Sequence, residues 1–333
     1  MRIAIDAMGG DFAPREVVAG SLEAARRFPD IESLLLVGRP EAIEAEIPAA
    51  GRPPSVRVVA ASEVVGMEEA PAVAVRRKKD SSISRAVDLV KQGEADAVFS
   101  AGNTGAAVAA TTLKLRTLEG VDRPAIATVM PTMKAPFVLI DAGANTDCPA
   151  GLLAQFAAMG SVYAEEILGI PKPTVALLSI GGEDTKGNDA TKEAFNILRG
   201  SRLNFLGNVE GHDLYEGKAN VVVCDGFVGN VVLKTSESVA HFIGAWLKAE
   251  LTKNPLRTLG ALLVKPGLDE IKRRSDPSMY GGAPLLGING ICLIGHGASS
   301  ARAVCNGIRA AAEAIRHRIN HRIVEEVGRL RAP

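Results

Sequence analysis

Five short stretches hold residues able to act on an anion or a carbonyl group. The richest is "SIGGEDTKGND" (179–189), where Lys186 stands between Thr185 and Gly187. Those neighbours set it apart from the charges of a helix face. It is either a loop cation in solvent or the group that neutralises a phosphate or a developing oxyanion. In "SAGNTGA" (100–106), Gly102 and Gly105 let an anion approach the backbone where a helix begins, and Asn103 and Thr104 add side-chain donors. A purely structural tight turn is the other reading of that stretch. "IDAGAN" (140–145) ends a strand at Asp141 and sets Asn145 just before a helix, as a cap or as an amide aimed at an anion. "DGFVGN" (225–230) offers Asp225 to fix loop N–H groups and Asn230 to donate to a carbonyl oxygen. "IGHGASS" (294–300) sets His296 between two glycines, open to a ligand or held as hydrogen-bonded scaffolding.

What is missing narrows the chemistry. There is no G-x-x-x-x-G-K-[ST] loop and no G-x-G-x-x-G unit with a ribose-binding acid, so the usual nucleotide sites are excluded. No G-x-S-x-G elbow occurs, and no cysteine has a histidine partner nearby in sequence. The five histidines form no H-E-x-x-H motif. Asp6, Asp11, Glu183 and Asp184 are acids that suit a divalent ion, but nothing demands one, and neither a metal nor a cofactor is expected. A reaction that fits is one in which a bound anion is itself the nucleophile, served by positioning and an oxyanion hole.

These stretches need a scaffold. Apolar runs closed by a glycine-rich polar turn recur at 1–11, 95–106, 136–145, 174–189, 203–211, 219–230 and 288–300, with plainer strands at 31–38 and 55–60. Helical patterns lie between them at 15–28, at 81–92 after a serine cap, at 149–168 with Pro149 at its start, and at 299–327. Short apolar strands alternating with helices predict an α/β three-layer fold around a parallel sheet. Ligands bind beyond the carboxyl ends of such strands, so the glycine turns are expected to share one composite cleft.

The bulk properties agree with an ordinary soluble globular protein. Of 333 residues 47% are apolar, and Lys+Arg balances Asp+Glu at 38 each, which gives no global signature for nucleic acid. Cys148, Cys224, Cys292 and Cys305 form no CxxC pair and read as buried free thiols of a reducing cytoplasm. The opening "MRIAIDAMGG" carries no signal core, and no apolar stretch reaches the roughly 18–20 residues of a membrane span.

Residues 238–275 stand apart. Val239, Phe242, Ile243, Trp246, Leu247 and Leu251 share one helical face, Asn254-Pro255 interrupts it, and Pro266-Gly267 is expected to break the chain again before a short helix "LDEIKRR". This predicts a helical hairpin inserted in one domain spanning 1–333. The hairpin is either ordinary core, or a subunit or membrane-surface contact, the second favoured by its apolar tip of Leu256, Leu259, Leu262 and Leu263.

Taken in order, "IAIDAMGGD", "SAGNTGA", "DAGAN", "GNVEG", "DGFVGN" with "KTSE", and "GINGICLIGHGAS" resemble the bacterial phosphate acyltransferase family (acyl-[acyl-carrier-protein]:phosphate transacylases) over about residues 1–320. The resemblance implies a three-layer α/β/α sandwich like those of phosphotransacetylases and isocitrate/isopropylmalate dehydrogenases. It also implies transfer of a fatty acyl group from acyl carrier protein to inorganic phosphate, which gives acyl phosphate for glycerol-3-phosphate acylation in phospholipid synthesis. A homodimer in the cytoplasm is implied, held peripherally on the inner face of the cell membrane by the hairpin. The downstream glycerol-3-phosphate acyltransferase is then a possible partner.

Joined to the motifs, this predicts phosphate seated on Gly102, Asn103, Thr104 and Gly105, with Asn145 assisting and Lys186 neutralising it. The phosphate attacks the thioester directly, without an acyl-enzyme. Asn230, Lys186 or backbone N–H groups hold the oxyanion, and His296 assists protonation. Arg76, Arg77, Lys78 and Lys79, or else the stretch "IKRRSD" (271–276), dock the acidic carrier, unless these are plain solvated faces. Rival readings are a coenzyme A-dependent phosphotransacetylase, a metal- and nicotinamide-dependent dehydrogenase on the related fold, and a non-enzymatic scaffold at the membrane surface.

Overall fold

The computed structural model describes residues 1–49, 51–274 and 277–331. Its strands are β1 (Arg2–Asp6), β2 (Ser33–Gly38), β3 (Val56–Ala60), β4 (Ala97–Ser100), β5 (Ala125–Met130), β6 (Phe137–Ile140), β7 (Val175–Leu178), β8 (Phe205–Val209), β9 (Val221–Val223), β10 (Ala283–Leu286) and β11 (Ile291–Ile294). They form one sheet in the order β3-β2-β1-β4-β11-β10-β5-β6-β9-β7-β8.

The sheet is mixed, not wholly parallel as the sequence suggested. β1, β2, β3, β4 and β11 run together. β10 is antiparallel to β11 and to β5, and β5 is antiparallel to β6. β9, β7 and β8 follow the direction of β6. The carboxyl ends of β1, β4 and β11 therefore point to one edge, and those of β6, β9 and β7 to the other. The single composite cleft expected from the glycine turns is replaced by two clusters of turns. β5 and β10 cause the reversal: each is antiparallel to both of its neighbours, and β5 runs on to Pro131 with no glycine turn.

Helices cover both faces: α1 (Arg15–Arg27), α2 (Pro40–Ala45), α3 (Pro71–Arg77), α4 (Ser82–Lys91), α5 (Thr104–Leu115), α6 (Ala150–Glu166), α7 (Asp189–Arg199), α8 (Gly226–Leu251), α9 (Pro255–Arg274), α10 (Ala301–Arg316) and α11 (Ile319–Arg331). In the β1–β4 half, Ile3, Ile5, Leu34 and Leu36 pack with α1 and α10, while Ala4, Leu35 and Val37 pack with α4 and α5. Alternation along each strand thus feeds two cores. In the β6–β9 half, Val138, Ile140, Val221 and Val223 meet α6, α7 and α11. The opposite face there, with Phe137, Leu139 and Val222, is covered chiefly by Leu214 and by Val232 and Leu233 of α8.

Two helical expectations change. The 299–327 helix divides, because Arg318 takes a left-handed φ of 49° and Asn320 then donates to the carbonyls of Ile288 and Gly290. The hairpin's first helix starts at Gly226 rather than 238, and its second runs unbroken through Pro266. That ring removes one hydrogen bond in an exposed helix, where water can serve the freed carbonyl. The hairpin is not core: Phe242, Trp246, Leu256, Leu259, Leu262 and Leu263 are all exposed. No described helix is long and apolar enough to cross a membrane.

Candidate active site

Asp141 follows β6 directly and is wholly buried. Its Oδ1 accepts from the N–H groups of Ile126, Gly143 and Ala144, and its Oδ2 from the N–H and side-chain amide of Asn145, all at 2.7–3.1 Å. Burial pushes this carboxyl above its ordinary value, and the surrounding donors pull it back. Every one of those neighbours is a donor, so the ionised form is the one the cradle fits.

The turn so held meets the start of α8. The Asn145 carbonyl accepts from Gly226 N at 2.6 Å. Asp225 caps α8 by accepting from Val228 N at 2.9 Å, the loop-fixing role its position suggested. A Cβ at Gly229 would lie 1.9 Å from the Asp141 carbonyl oxygen, so only glycine lets helix and turn approach this closely. The next residue, the exposed Asn230, lies over Gly143, whose φ is 141°, with Asn230 Oδ1 3.7 Å from where a Gly143 Cβ would be. No hydrogen bond engages the Asn230 amide among the described residues.

Two strand places from β6, the loop after β7 carries Lys186. Its stem folds over Gly181, its N–H donates to the Glu183 carbonyl, and its side chain is exposed with no ion pair among the described residues. Asn188 then caps α7 through Thr191. Lys186, Asn230 and the Asp141–Asn145 turn thus share one edge of the sheet.

The Gly102–Gly105 turn belongs to the other edge. Six strand spacings of about 4.8 Å separate β4 from β7 in the sheet order. That is roughly 29 Å, beyond the reach of a lysine side chain. The turn's own donors are partly spent. Ser100 Oγ donates to the buried Asp6 and accepts from Gly102 N. Asn103 Oδ1 caps α5 through Ala106 N, while its amide serves the carbonyls of Gly66, Met67 and Glu69. Pro71 lies against Gly105, where a Cβ would meet its ring at 2.5 Å. What stays open to an anion is the N–H of Thr104 and of Gly105, which have no partner among the described residues.

His296 sits on this first edge, since β11 pairs with β4. It is exposed, its Nδ1 accepts from Ala298 N at 3.2 Å, and its carbonyl accepts from Ser299. Asn145, on the second edge, has spent its amide on Pro124 O and Asp141. In the basic stretch, Lys78 is an internal strut that donates to Val64 O and pairs with Glu69, whereas Arg76, Arg77 and Lys79 are exposed. Ser275 and Asp276 of the alternative stretch lie outside the described residues.

Sequence reasoning named Asp141 only as a strand end. The signal was present as an Asp followed by Gly and Asn in one tight turn, the pattern of a side chain that gathers its own loop's N–H groups. It also passed over Arg123, which reaches the Asp147 carbonyl at 3.4 Å beside that turn. Among the described residues no group of His, Cys, Asp and Glu is arranged to hold a metal. The thiols beside the turn are poor nucleophiles: burial pushes Cys148 up to about 11, and Cys224 well above its usual range.

Comparison with known proteins bears on this arrangement. The fold is shared with a phosphotransacetylase from Streptococcus pyogenes, with a TM-score of 0.59, 20% identity and coverage of 95% of this chain and 94% of that one. It is shared more distantly with a 4-hydroxythreonine-4-phosphate dehydrogenase from Klebsiella pneumoniae, with a TM-score of 0.51, 15% identity and coverage of 96% and 99%. A family model described as "Fatty acid synthesis protein" matches residues 1–322. A phosphate acyltransferase from Desulfitobacterium hafniense (strain DSM 10664 / DCB-2) is 53% identical over 333 residues, 100% of this chain and 99% of the relative. One from Nostoc punctiforme is 50% identical over 326 residues, 97% and 95% of the two chains. With the motif order, the fold and the full-length identity in agreement, the chain belongs to the phosphate acyltransferase family.

Proposed function

We propose that this protein transfers a fatty acyl group from an acyl carrier protein thioester to inorganic phosphate, making acyl phosphate for phospholipid synthesis. Full-length identity of about one half to relatives named phosphate acyltransferase carries the reading. The geometry supplies a mechanism. A phosphate oxygen attacks the thioester carbonyl, the tetrahedral oxyanion collapses, and the C–S bond breaks to release the carrier thiolate. Lys186 and the unengaged Asn230 amide on the second edge neutralise the phosphate and the oxyanion. Direct attack, without an acyl-enzyme, is supported by the high-lying thiols of Cys148 and Cys224.

The Gly102–Gly105 turn is then a separate anion seat, offering the N–H groups of Thr104 and Gly105. Within one protomer, a phosphate held there is not the one Lys186 neutralises. His296 borders that seat on the first edge, so within one protomer it is not the group that protonates the thiolate leaving beside Lys186. Asn145 contributes by holding its turn, not by an amide free for phosphate. Arg76, Arg77 and Lys79 remain the docking residues for the acidic carrier.

The apolar face of the hairpin, from Phe242 and Trp246 to Leu256, Leu259, Leu262 and Leu263, is read as the contact for a second copy and for the inner face of the cell membrane. From that position the product passes to the glycerol-3-phosphate acyltransferase. Flotation with anionic vesicles tests the lipid contact: Leu259→Glu with Leu263→Glu abolishes it on this reading, and undiminished flotation refutes it.

The activity itself is tested with acyl carrier protein thioester, with and without phosphate, trapping acyl phosphate with hydroxylamine. Phosphate-dependent hydroxamate is the expected result. Thiol release that ignores phosphate overturns the assignment, and turnover of a coenzyme A thioester in preference to the carrier thioester favours the phosphotransacetylase reading.

A further inference from the structure

We infer that Asp141 is the positioning residue for Asn230. The inference rests on the proposed acyl transfer at the second edge. Its basis is the path of contacts between the two residues, which runs twice.

The first path goes through the floor of the turn. Asp141 Oδ1 holds the N–H groups of Gly143 and Ala144 at 3.1 and 3.0 Å, and the Asn230 side chain lies directly over Gly143. The second goes through the helix. Asp141 Oδ2 holds Asn145 by its N–H at 2.7 Å and its amide at 2.9 Å, and the Asn145 carbonyl takes the first N–H of α8. Gly226 and Gly229 then let the helix press on the carboxylate and on the Asp141 carbonyl, with prospective Cβ positions 2.8 Å and 1.9 Å from Oδ2 and O. Ile126, at the start of β5, is the fixed wall, donating to Oδ1 at 3.0 Å.

A single buried carboxylate therefore fixes the height of the Gly143 turn and the start of α8 against one rigid strand. Asn230 is exposed and its amide is held by no hydrogen bond among the described residues. Its place is set by the turn beneath it and the helix that carries it, both of which this carboxylate holds. Donors aimed at a developing oxyanion act through fixed placement, and a loosened support reduces the rate without removing the group.

Asp141→Asn discriminates. An amide oxygen can replace Oδ1 before its three N–H donors, but the new NH2 faces the N–H and amide of Asn145, donor against donor. The expected result is a fall in kcat of roughly tenfold to a hundredfold, with KM for phosphate and for the carrier thioester within about twofold. In an Asn230→Ser background the same substitution lowers kcat by less than about twofold, because the positioned amide is already gone. Thermal melting verifies that each variant is folded. Should Asp141→Asn not fold, Asn145→Ala, which removes only the two amide hydrogen bonds, takes its place in the same cycle. An equal loss in both backgrounds, or a rise in KM with kcat unchanged, overturns the inference. If the unaltered protein forms no phosphate-dependent hydroxamate, the acyl-transfer reading fails first. An active parent with an equally active, folded Asp141→Asn variant refutes the positioning role alone.

Discussion

The side-chain amide of Asn103 donates to the main-chain carbonyl of Met67 at 2.9 Å, and so clasps the segment 64–71 over the first turn of α5. Gly66 O and Glu69 O share the same amide, while Asn103 Oδ1 caps the helix through Ala106. The two functions separate by mutation. Asn103→Asp keeps the cap acceptor but sets a carboxylate oxygen against three carbonyls. Asn103→Ala loses both, including a cap contribution of about 1 kcal/mol. Hydrogen exchange across 64–71 is expected to quicken in both variants, and across 104–107 in the alanine variant alone.

Gly229 is fixed by its neighbour, not by its own dihedral angles. A Cβ there would stand 1.9 Å from a main-chain oxygen that cannot swing aside. Gly229→Ala is expected to lower stability by about 1–3 kcal/mol and to abolish turnover, as α8 shifts and carries Asn230 with it. Gly151→Ala is the control: nothing lies within 4 Å of the new methyl in α6, and stability is expected to hold or rise. Chemical denaturation of the pair checks both signs.

Neighbouring basic residues at the end of α3 are predicted to behave differently. Arg77→Glu alters an exposed charge and should raise KM for the carrier without lowering the melting temperature. Lys78→Ala instead breaks the pair with Glu69 and the bond to Val64 O, and should loosen 64–71. Lys78, then Gly66 N, holds the Glu69 carboxyl below its ordinary range. A depressed carboxyl contributes its stability above the unfolded value and loses it as pH falls through the folded one. Exchange of the strap should therefore rise below about pH 4.3 in the parent protein, and much less so in Lys78→Ala. A strap indifferent to pH in the parent would refute the pairing.

The motifs were legible because glycine, asparagine and charge cluster where a strand hands over to a helix, as at "DGFVGN" and "TKGND". The helix start at Pro149 was legible from the proline itself. What could not be read was direction. β5, "AIATVM", and β10, "APLL", lie outside the apolar runs that the glycine turns pick out, and their antiparallel pairings turn the second half of the sheet over. With them overlooked, every turn fell on one edge, and Lys186 was placed beside Gly102. The consumption of Asn103, Asn145 and Lys78 by internal bonds was hidden for a related reason. The partners of the Asn103 amide and one each of Asn145 and Lys78 are main-chain carbonyls, which no residue pattern reveals.

Lys186 is the residue whose removal should affect chemistry and nothing else. Its side chain is exposed and has no ion pair among the described residues, so Lys186→Ala takes away no contact that supports the fold, and the melting temperature should be unchanged. Loss of one preformed electrostatic partner of an oxyanion lowers kcat by about 10²–10³, and that is the expected fall. Lys186→Arg keeps the charge but replaces a compact ammonium with a planar fork, so an intermediate rate is expected. In the proposed mechanism the lysine serves two anions, the substrate and the oxyanion, so the phosphate KM should rise together with the fall in kcat. A cation that merely attracts phosphate would raise KM and leave kcat alone. Steady-state kinetics of the three proteins separates these cases, and near-parental turnover in the folded alanine variant would remove Lys186 from the mechanism.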